Sequence, residues 1–426
     1  MTISVESAWP AHPDYRIDLV PCRLTGQVWD GDLLLAESAD CLIVTETDHV
    51  DRLYFPESSV RWDMFTPSEL TTVCPFKGVA SYWNLTGSEP ARDNVVWTYR
   101  QPLAEVAGIE GYVSFYSREV RVVVVEDWAD GSRVAANFPL WGDATELIRL
   151  IDVQPVHGDD FVGPAHGPTR RDVVEGGQFA AQAIVAATKA NSGQRVTSAS
   201  MIFTKAASFT APVDLHVEVL RKGRTFSTTE VRISQHGSLR SVGLLLSDSG
   251  ADDVMRDAAG MPDVPGPDGA VPFAGFGMTG REIRVVDAAY DPDPDRVGPP
   301  RIDAWVRFRD APAEAYLHQA LLAQSTTHWT IAAGMLPHPG LGEARAHRTL
   351  STGIMKATIA FHDDADVSDW LLYCNEAFWS GRGLVQGDGR VFTQDGRLVA
   401  SYTVQAMVRD FDRTPTDMGR DDRTVM

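Results

Sequence analysis

The chain is short of cysteine, of basic residues and of long apolar runs. Its four cysteines, Cys22, Cys41, Cys74 and Cys374, are scattered and form no CxxC pair. That argues against a disulfide framework and a structural zinc site, and it fits a reducing compartment. Lysine and arginine number 38 against 58 acidic residues, for a formal net charge of −20. A nucleic-acid-binding face needs clustered cations, so the balance argues against nucleic-acid partners, although a few local cations can still hold an anionic ligand. No apolar run approaches the roughly 18 residues that cross a bilayer, and the opening residues MTISVESAWP carry no basic-then-apolar leader. The expectation is a cytoplasmic protein with no membrane partner. GxSxG and HExxH are both absent, so serine- and zinc-hydrolase readings lack their signatures. Residues 275–280 spell a formal GxGxxG, but no strand precedes it and no crossover helix follows, so a dinucleotide site is rejected. No cofactor and no metal are expected.

The 426 residues, 44% of them hydrophobic, exceed one core and predict two or three units. Residues 11–126 hold short alternating runs (33–35, 41–44, 52–55, 95–99, 111–116 and 120–125) between Gly, Asp, Asn and Pro turns, which predicts a small all-β domain. Within it Cys74-Pro75-Phe76-Lys77-Gly78 and Tyr82-Trp83 read as a tight turn packed by aromatics, or as a pocket lining. A short amphipathic helix is expected at 146–151. Residues 173–190 then predict a helix lined by alanines, which can lie very close to a curved sheet. Its start, Glu175, Gly176, Gly177 and Gln178, offers free amides at the positive end of the helix dipole. Close packing alone is the other reason for two glycines there. Strands are expected at 196–203, 213–220, 227–234 and 238–246. Residues 251–281, rich in Gly, Pro and Asp, read as a linker. The pattern then recurs: a strand at 304–308, a helix over 313–335 with Tyr316, Leu317, Ala320, Leu321, Gln324 and His328 on one face, and strands at 349–362, 370–378, 384–392 and 398–408. Residues 413–426 read as a flexible tail.

Two resemblances follow from the residues. Tyr54-Phe55-Pro56, the Cys74–Trp83 block, Trp97-Thr98-Tyr99 and Ile109–Val113 resemble a bacterial family of unknown function with a CPYKG-type signature, which implies a β-tent-like fold over 11–126. Gly176-Gly177-Gln178, Ala183–Ala187, Arg224–Ser227, Leu317–Ala323, Pro337-His338, Phe361-His362, Asp369–Tyr373 and Gln394–Ser401 resemble the acyl-CoA thioesterase II (TesB-like) double hotdog proteins. That implies an α+β fold in which each half wraps a sheet around its helix and the two sheets join back to back, with a first hotdog at 144–250 and a second at 282–412.

The resemblance also implies hydrolysis of an acyl thioester, on CoA or an acyl carrier, by a water held among an Asp, a Thr and a Gln. Here those positions fall on Thr327, Ile354 and Val404, with Gln405 one along. Lys356 stands where an Asp usually follows the Thr. The candidate catalytic residues are therefore Thr327, His328, Glu175 and Gln405. Gly176, Gly177, Gln178 and Lys356 are candidates for oxyanion or substrate binding, and Lys222 and Arg224 for the CoA phosphates. A long apolar tunnel between helix and sheet is expected to take the acyl chain. A homo-oligomer is one possible partner state. A non-hydrolytic acyl-thioester binder and a hotdog enzyme of different chemistry (dehydration, cyclisation, acyl transfer) stand as alternatives.

Overall fold

A computed structural model describes residues 6–410, apart from positions 48, 50, 118, 141, 166–172, 210, 275–276, 291–294 and 347–348. The expected tail at 413–426 lies outside the described residues. Near the N-terminus a seven-stranded sheet runs in the order Ile17–Pro21, Leu42–Glu46, Arg52–Pro56, Tyr112–Phe115, Arg92–Pro102, Gly78–Leu85, Phe65–Cys74. It faces a four-stranded sheet of Arg133–Asn137, Arg121–Asp127, Thr25–Asp30 and Leu33–Ser38. Period-2 alternation puts Val28, Leu35, Phe55, Leu85, Val96, Phe115 and Val124 between them, all essentially buried. The Cys74–Gly78 segment is a hairpin turn packed by aromatics. Tyr15 stacks on Phe76 with centroids 3.7 Å apart, Trp9 Nε1 donates to the Phe76 carbonyl at 2.9 Å, and Lys77 pairs with Glu46.

The remainder is built on one thirteen-stranded sheet. Its first half holds β1 (Gln154–His157), β2 (Asp160–Gly163), β3 (Arg195–Phe203), β4 (Val213–Lys222), β5 (Phe226–Gln235) and β6 (Ser238–Asp248). Its second holds β7 (Arg281–Val285), β8 (Arg301–Phe308), β9 (Leu350–Phe361), β10 (Leu371–Gly381), β11 (Leu384–Thr393) and β12 (Leu398–Asp410). The spatial order is β1-β2-β4-β5-β6-β3-β9-β12-β11-β10-β8-β7, ending in Val271–Pro272, so each half repeats the other's order outward from the β3–β9 seam. This corrects the expected back-to-back join: the halves meet edge to edge, with antiparallel pairing from Ser198↔Ala360 to Ile202↔Lys356. Hydrogen bonding along two free edges satisfies backbone groups that a back-to-back join would leave open.

Helix α1 (Ala144–Ile151) starts with a side-chain cap, Asp143 accepting from the Glu146 amide at 2.6 Å. Helix α2 (Gly176–Ala190) is buried from Gly177 to Ala187. Its five buried alanines, Ala180, Ala181, Ala183, Ala186 and Ala187, let it sit against both the sheet and the second-half helix. Phe179, Ile184 and Val185, each at most 2% exposed, add about 1.5–3 kcal/mol apiece of burial. The helix expected over 313–335 is broken. It forms α3 (Ala315–Gln324), a 3₁₀ turn at Ser325–Thr327 and α4 (Thr330–Met335). The cause is local: Thr326 Oγ1 donates to the Ala323 carbonyl at 2.7 Å and Trp329 Nε1 to the Ser325 carbonyl at 3.0 Å, so side chains compete for the carbonyls of the interrupted turn. Part of the segment read as linker straps the convex face of the second half. Met261, Val264 and Ala270 pack on Trp305, Trp370, Leu372 and Phe392, and Trp305 Nε1 donates to the Pro265 carbonyl at 2.9 Å. No helix among the described residues is long and apolar enough to cross a membrane.

Candidate functional site

The start of α2 and the break after α3 meet face to face. A Cβ on Gly177 would lie 2.4 Å from the Gln324 carbonyl oxygen and 2.7 Å from Thr327 Oγ1, so this glycine is required by close approach. Gly176 is less constrained, since a Cβ there would meet only the Phe203 ring at 3.1 Å. Glu175 is the N-cap of α2 and is half-buried, as is Gly176, whereas Gly177 and Gln178 are buried. Glu175 and Gly176 therefore form the accessible lip of this junction.

Three polar side chains close the inner side. Gln324 Nε2 donates to Glu175 Oε2 at 3.3 Å, and Gln324 Oε1 accepts from Arg281 Nη1 at 3.2 Å. Arg281 Nη1 also lies 3.3 Å from His328 Nε2. Arginine has donors only, so His328 Nε2 is the acceptor and the ring carries its proton on Nδ1. Arg281 is 4% exposed. Burial pulls its pKa down to about 10, with Glu175 and Tyr373 opposing the drop, so it stays a cation at neutral pH. His328 is pushed well below the ordinary imidazole value, first by burial and then by the Arg281 charge. It is a neutral ring whose Nε2 lone pair is engaged by a guanidinium, which disqualifies that atom as a base for water. The carboxylate at this junction is Glu175.

The other expected site residues divide clearly. Thr327 is at the junction, 9% exposed, with Oγ1 3.5 Å from the Gln324 carbonyl. The amide of Gln178 donates to the Glu175 carbonyl at 3.1 Å and its side chain to the Pro164 carbonyl at 3.1 Å. Both polar groups of Gln178 are thus engaged within the fold, and of the three expected oxyanion donors Gly176 and Gly177 remain as candidates. Gln405 is not brought in. Val404 and Ala406 are fully buried on the helix side, while Gln405 pairs with Gln386 on the opposite face, Nε2 to Oε1 at 3.2 Å. The bulge that could have turned it inward lies in β9 between Ile354 and Lys356, and it leaves the phase of β12 unchanged. Lys356, opposite Gln405 in the register, is exposed on that same outer face. Lys222 and Arg224 are exposed at the β4–β5 hairpin. Gln194 bonds that hairpin at Gly223 and Thr225, just beyond the C-terminal end of α2, about 20 Å along the helix from Gly176. None of these three cations lies at the junction.

The expected tunnel between helix and sheet is not seen among the described residues. Behind the junction Phe179, Ile184, Val217 and Val231 fill the space between α2 and the sheet. A shallow pocket, partly open to solvent, is lined by Tyr290, Arg296, Ala332, Met335, Leu341 and Glu343. Tyr290 touches the far side of Trp329, with ring centroids 5.9 Å apart.

Sequence reasoning missed Arg281 altogether. The signal was a charge in phase with Ile283 and Val285, inward positions of one strand, at the end of a segment read as linker. Gln324 had been placed on the correct helix face without a role.

Residues 165–247 match the acyl-CoA thioesterase N-terminal domain and residues 255–408 the acyl-CoA thioesterase C-terminal domain. Residues 18–126 match a domain of unknown function, DUF427. Human acyl-coenzyme A thioesterase 8 is 26% identical over 299 residues, covering 63% of this chain and 91% of the relative. Acyl-CoA thioesterase 2 of Haemophilus influenzae is 26% identical over 284 residues, covering 62% and 96%. Among solved structures, acyl-CoA thioesterase II TesB2 from Mycobacterium marinum superposes with a TM-score of 0.53 at 23% identity, covering 62% of this chain and 99% of that one. At that identity the likeness speaks to the fold.

Proposed function

Because the chain belongs to the TesB-like acyl-CoA thioesterase II family, carrying a DUF427 domain ahead of its double hotdog, we propose that it hydrolyses acyl-CoA thioesters in the cytoplasm, with the catalytic carboxylate relocated to Glu175. The observation that carries this is the contact of Gly177 with Thr327. The position where the family places its aspartate lies directly against the helix start that bears Glu175, so a carboxylate two residues before Gly177 serves the same space. Water bound to Glu175 attacks the thioester carbonyl as Glu175 takes its proton. The oxyanion forms beside the Gly176 and Gly177 amides at the positive end of α2. The C–S bond then breaks and Glu175 returns the proton to the leaving thiolate. Gln324 holds the carboxylate, with the buried Arg281 cation bonded to the other side of the same amide. Thr327 Oγ1 is placed to orient the water. An acyl chain entering here displaces side chains, because the interior behind the junction is filled. An acyl carrier protein remains a second source of the thioester.

Binding without turnover is favoured by one feature: the bond from Arg281 leaves His328 unable to act as a base through Nε2. Thiol release from a panel of acyl-CoAs, measured for wild type beside Glu175→Gln, tests the proposal. Release by wild type that collapses in the variant supports it. No release alongside micromolar binding replaces hydrolysis with the binding reading.

A further inference from the structure

We infer that the N-terminal β domain is a brace for the candidate site: its Glu126–Ser132 hairpin fixes both chain neighbours of Arg281, and Glu126 is a positioning residue for that guanidinium. The inference rests on the hydrolase reading for its catalytic consequence alone.

Arg281 lies between two residues tied to the same hairpin. On one side, the Gly280 amide donates to Glu126 Oε2 at 3.1 Å, and the Gly280 carbonyl accepts from the Arg309 amide at 2.7 Å. Gly280 has φ +74, and a Cβ there would come within 3.0 Å of the Ala144 Cβ. The turn is therefore confined to glycine and pressed against the start of α1. On the other side, Glu282 Oε1 accepts from Arg309 Nε at 2.6 Å. The Arg309 guanidinium reaches on to the hairpin. Its Nη1 pairs with Asp130 Oδ2 at 2.8 Å, Nη2 donates to Ser132 Oγ, and the group lies 4.6 Å from the Trp128 ring centroid. Its side chain is only 10% exposed and that of Glu282 7%, so the Arg309–Glu282 pair is sheltered from solvent, while Asp130 at 57% exposure forms the screened outer end. Apolar contact adds to the joint, with Val123 and Val125 packing on Ala274, and the Asn137 amide donates to the Ala274 carbonyl at 2.8 Å.

The geometry gives the brace its consequence. Alternation along β7 sends Glu282 outward to the N-terminal domain and Arg281 inward to Gln324 and His328. A shift at Gly280 or Glu282 is therefore transmitted one residue along an extended strand to the guanidinium. The 3.2 and 3.3 Å bonds to Gln324 and His328 do not survive a displacement of about 1 Å.

The test uses the full chain labelled with ¹⁵N-histidine, with the His328 resonances assigned by His328→Gln. In wild type His328 Nε2 shows the shift of an unprotonated, hydrogen-bonded nitrogen. Glu126→Ala is expected to move that resonance toward a free imidazole and to lower kcat by roughly ten- to a hundredfold with little change in KM. Glu126→Gln keeps an acceptor oxygen and restores most of both. Asp130→Asn gives a smaller shift in the same direction, and it stands in if Glu126→Ala does not fold. The NMR readout needs no turnover, so failure of the hydrolase reading leaves it decisive. His328 signals unchanged in Glu126→Ala, or in Asp130→Asn where the first does not fold, overturn the brace.

Discussion

The two halves of the thirteen-stranded sheet present the same junction twice, and the two are packed differently. Helix α2 begins Glu175-Gly176-Gly177 and meets the far end of the second-half helix at Gln324 and Thr327. Helix α3 begins Glu314-Ala315-Tyr316 and meets the far end of α2 at Lys189, whose ammonium lies 5.9 Å from the Tyr316 ring centroid. Both helices are capped by glutamate. The difference lies two residues later. At the first junction a missing side chain lets Gly177 pack directly against the Gln324 carbonyl and Thr327. At the second a tyrosine stands there, leaving Glu314 and Ala315 exposed, and its hydroxyl donates to Asp152 Oδ1 at 3.2 Å while Lys189 Nζ pairs with the same oxygen at 2.8 Å. Duplication thus supplies two positive helix ends, and side-chain size sets how closely each approaches the opposite helix.

The sharpest way to break this comparison is to neutralise each cap in turn. Glu175→Gln is expected to lower kcat for thiol release by about 10²- to 10⁴-fold, and Glu314→Gln to leave it unchanged. Equal losses would mean that both junctions, or neither, carry the chemistry. Next in size is Gly177→Ala. The new methyl would press on the Gln324 carbonyl, which is backbone and cannot rotate away, so we expect about 3 kcal/mol of destabilisation in urea titrations and loss of thiol release. Gly176→Ala meets a ring that can give way, and its stability should stay within about 1 kcal/mol of wild type. If the two substitutions cost the same, close approach is not what selects Gly177.

The halves were legible in the sequence because both helices and their meanders follow simple periods. Alanine spacing marked α2, and apolar runs placed β4 to β6 and β10 to β12 within a few residues. The break at Ser325–Thr327 was hidden, since Ser325, Thr326 and Thr327 are fully compatible with a helix until their side chains find carbonyls. The face on which Gln405 lies depends on a bulge position that no local pattern records. The strand Phe65–Cys74 was missed for a similar reason. It is an edge strand exposed along most of its length, so alternation is absent. Arg281 was invisible because its meaning is tertiary: one charge on a short strand acquires a role only when Gln324, His328 and Glu175 arrive from elsewhere.

The charge at the first junction has a pH signature. In the folded chain His328 resists protonation, chiefly through burial and then through Arg281. Unfolded, it takes up a proton near pH 6.5. Between these values the unfolded state binds more protons, so stability falls as pH drops below about 6.5 and is fully present above it. Going from pH 7 to 5.5 should cost about 1 kcal/mol from this residue, read as the difference between wild type and His328→Gln in paired denaturant titrations. Arg281→Met removes the second cause and leaves the first, so it should shrink that difference without abolishing it. No difference at all would mean that the ring takes up a proton in the folded chain as readily as in the unfolded one, and neither burial nor Arg281 would then be acting on it.

The smallest expected effect comes from the second junction. Tyr316→Phe removes only the hydroxyl bond to a half-buried carboxylate that keeps its lysine partner, so stability should fall by about 0.5 kcal/mol with thiol release unchanged. Tyr316→Gly goes further and removes the whole side chain at the start of α3. It copies the glycine of the first junction but not its inner side, where Arg281 and Gln324 converge on a carboxylate. At the second junction Lys189 is already paired with Asp152. Removing the side chain should therefore create no second activity, and Glu175→Gln should stay inactive when combined with Tyr316→Gly. Recovery of thiol release in that double variant would show that a bare helix start beside a glutamate suffices, and that the buried guanidinium does not distinguish the two halves.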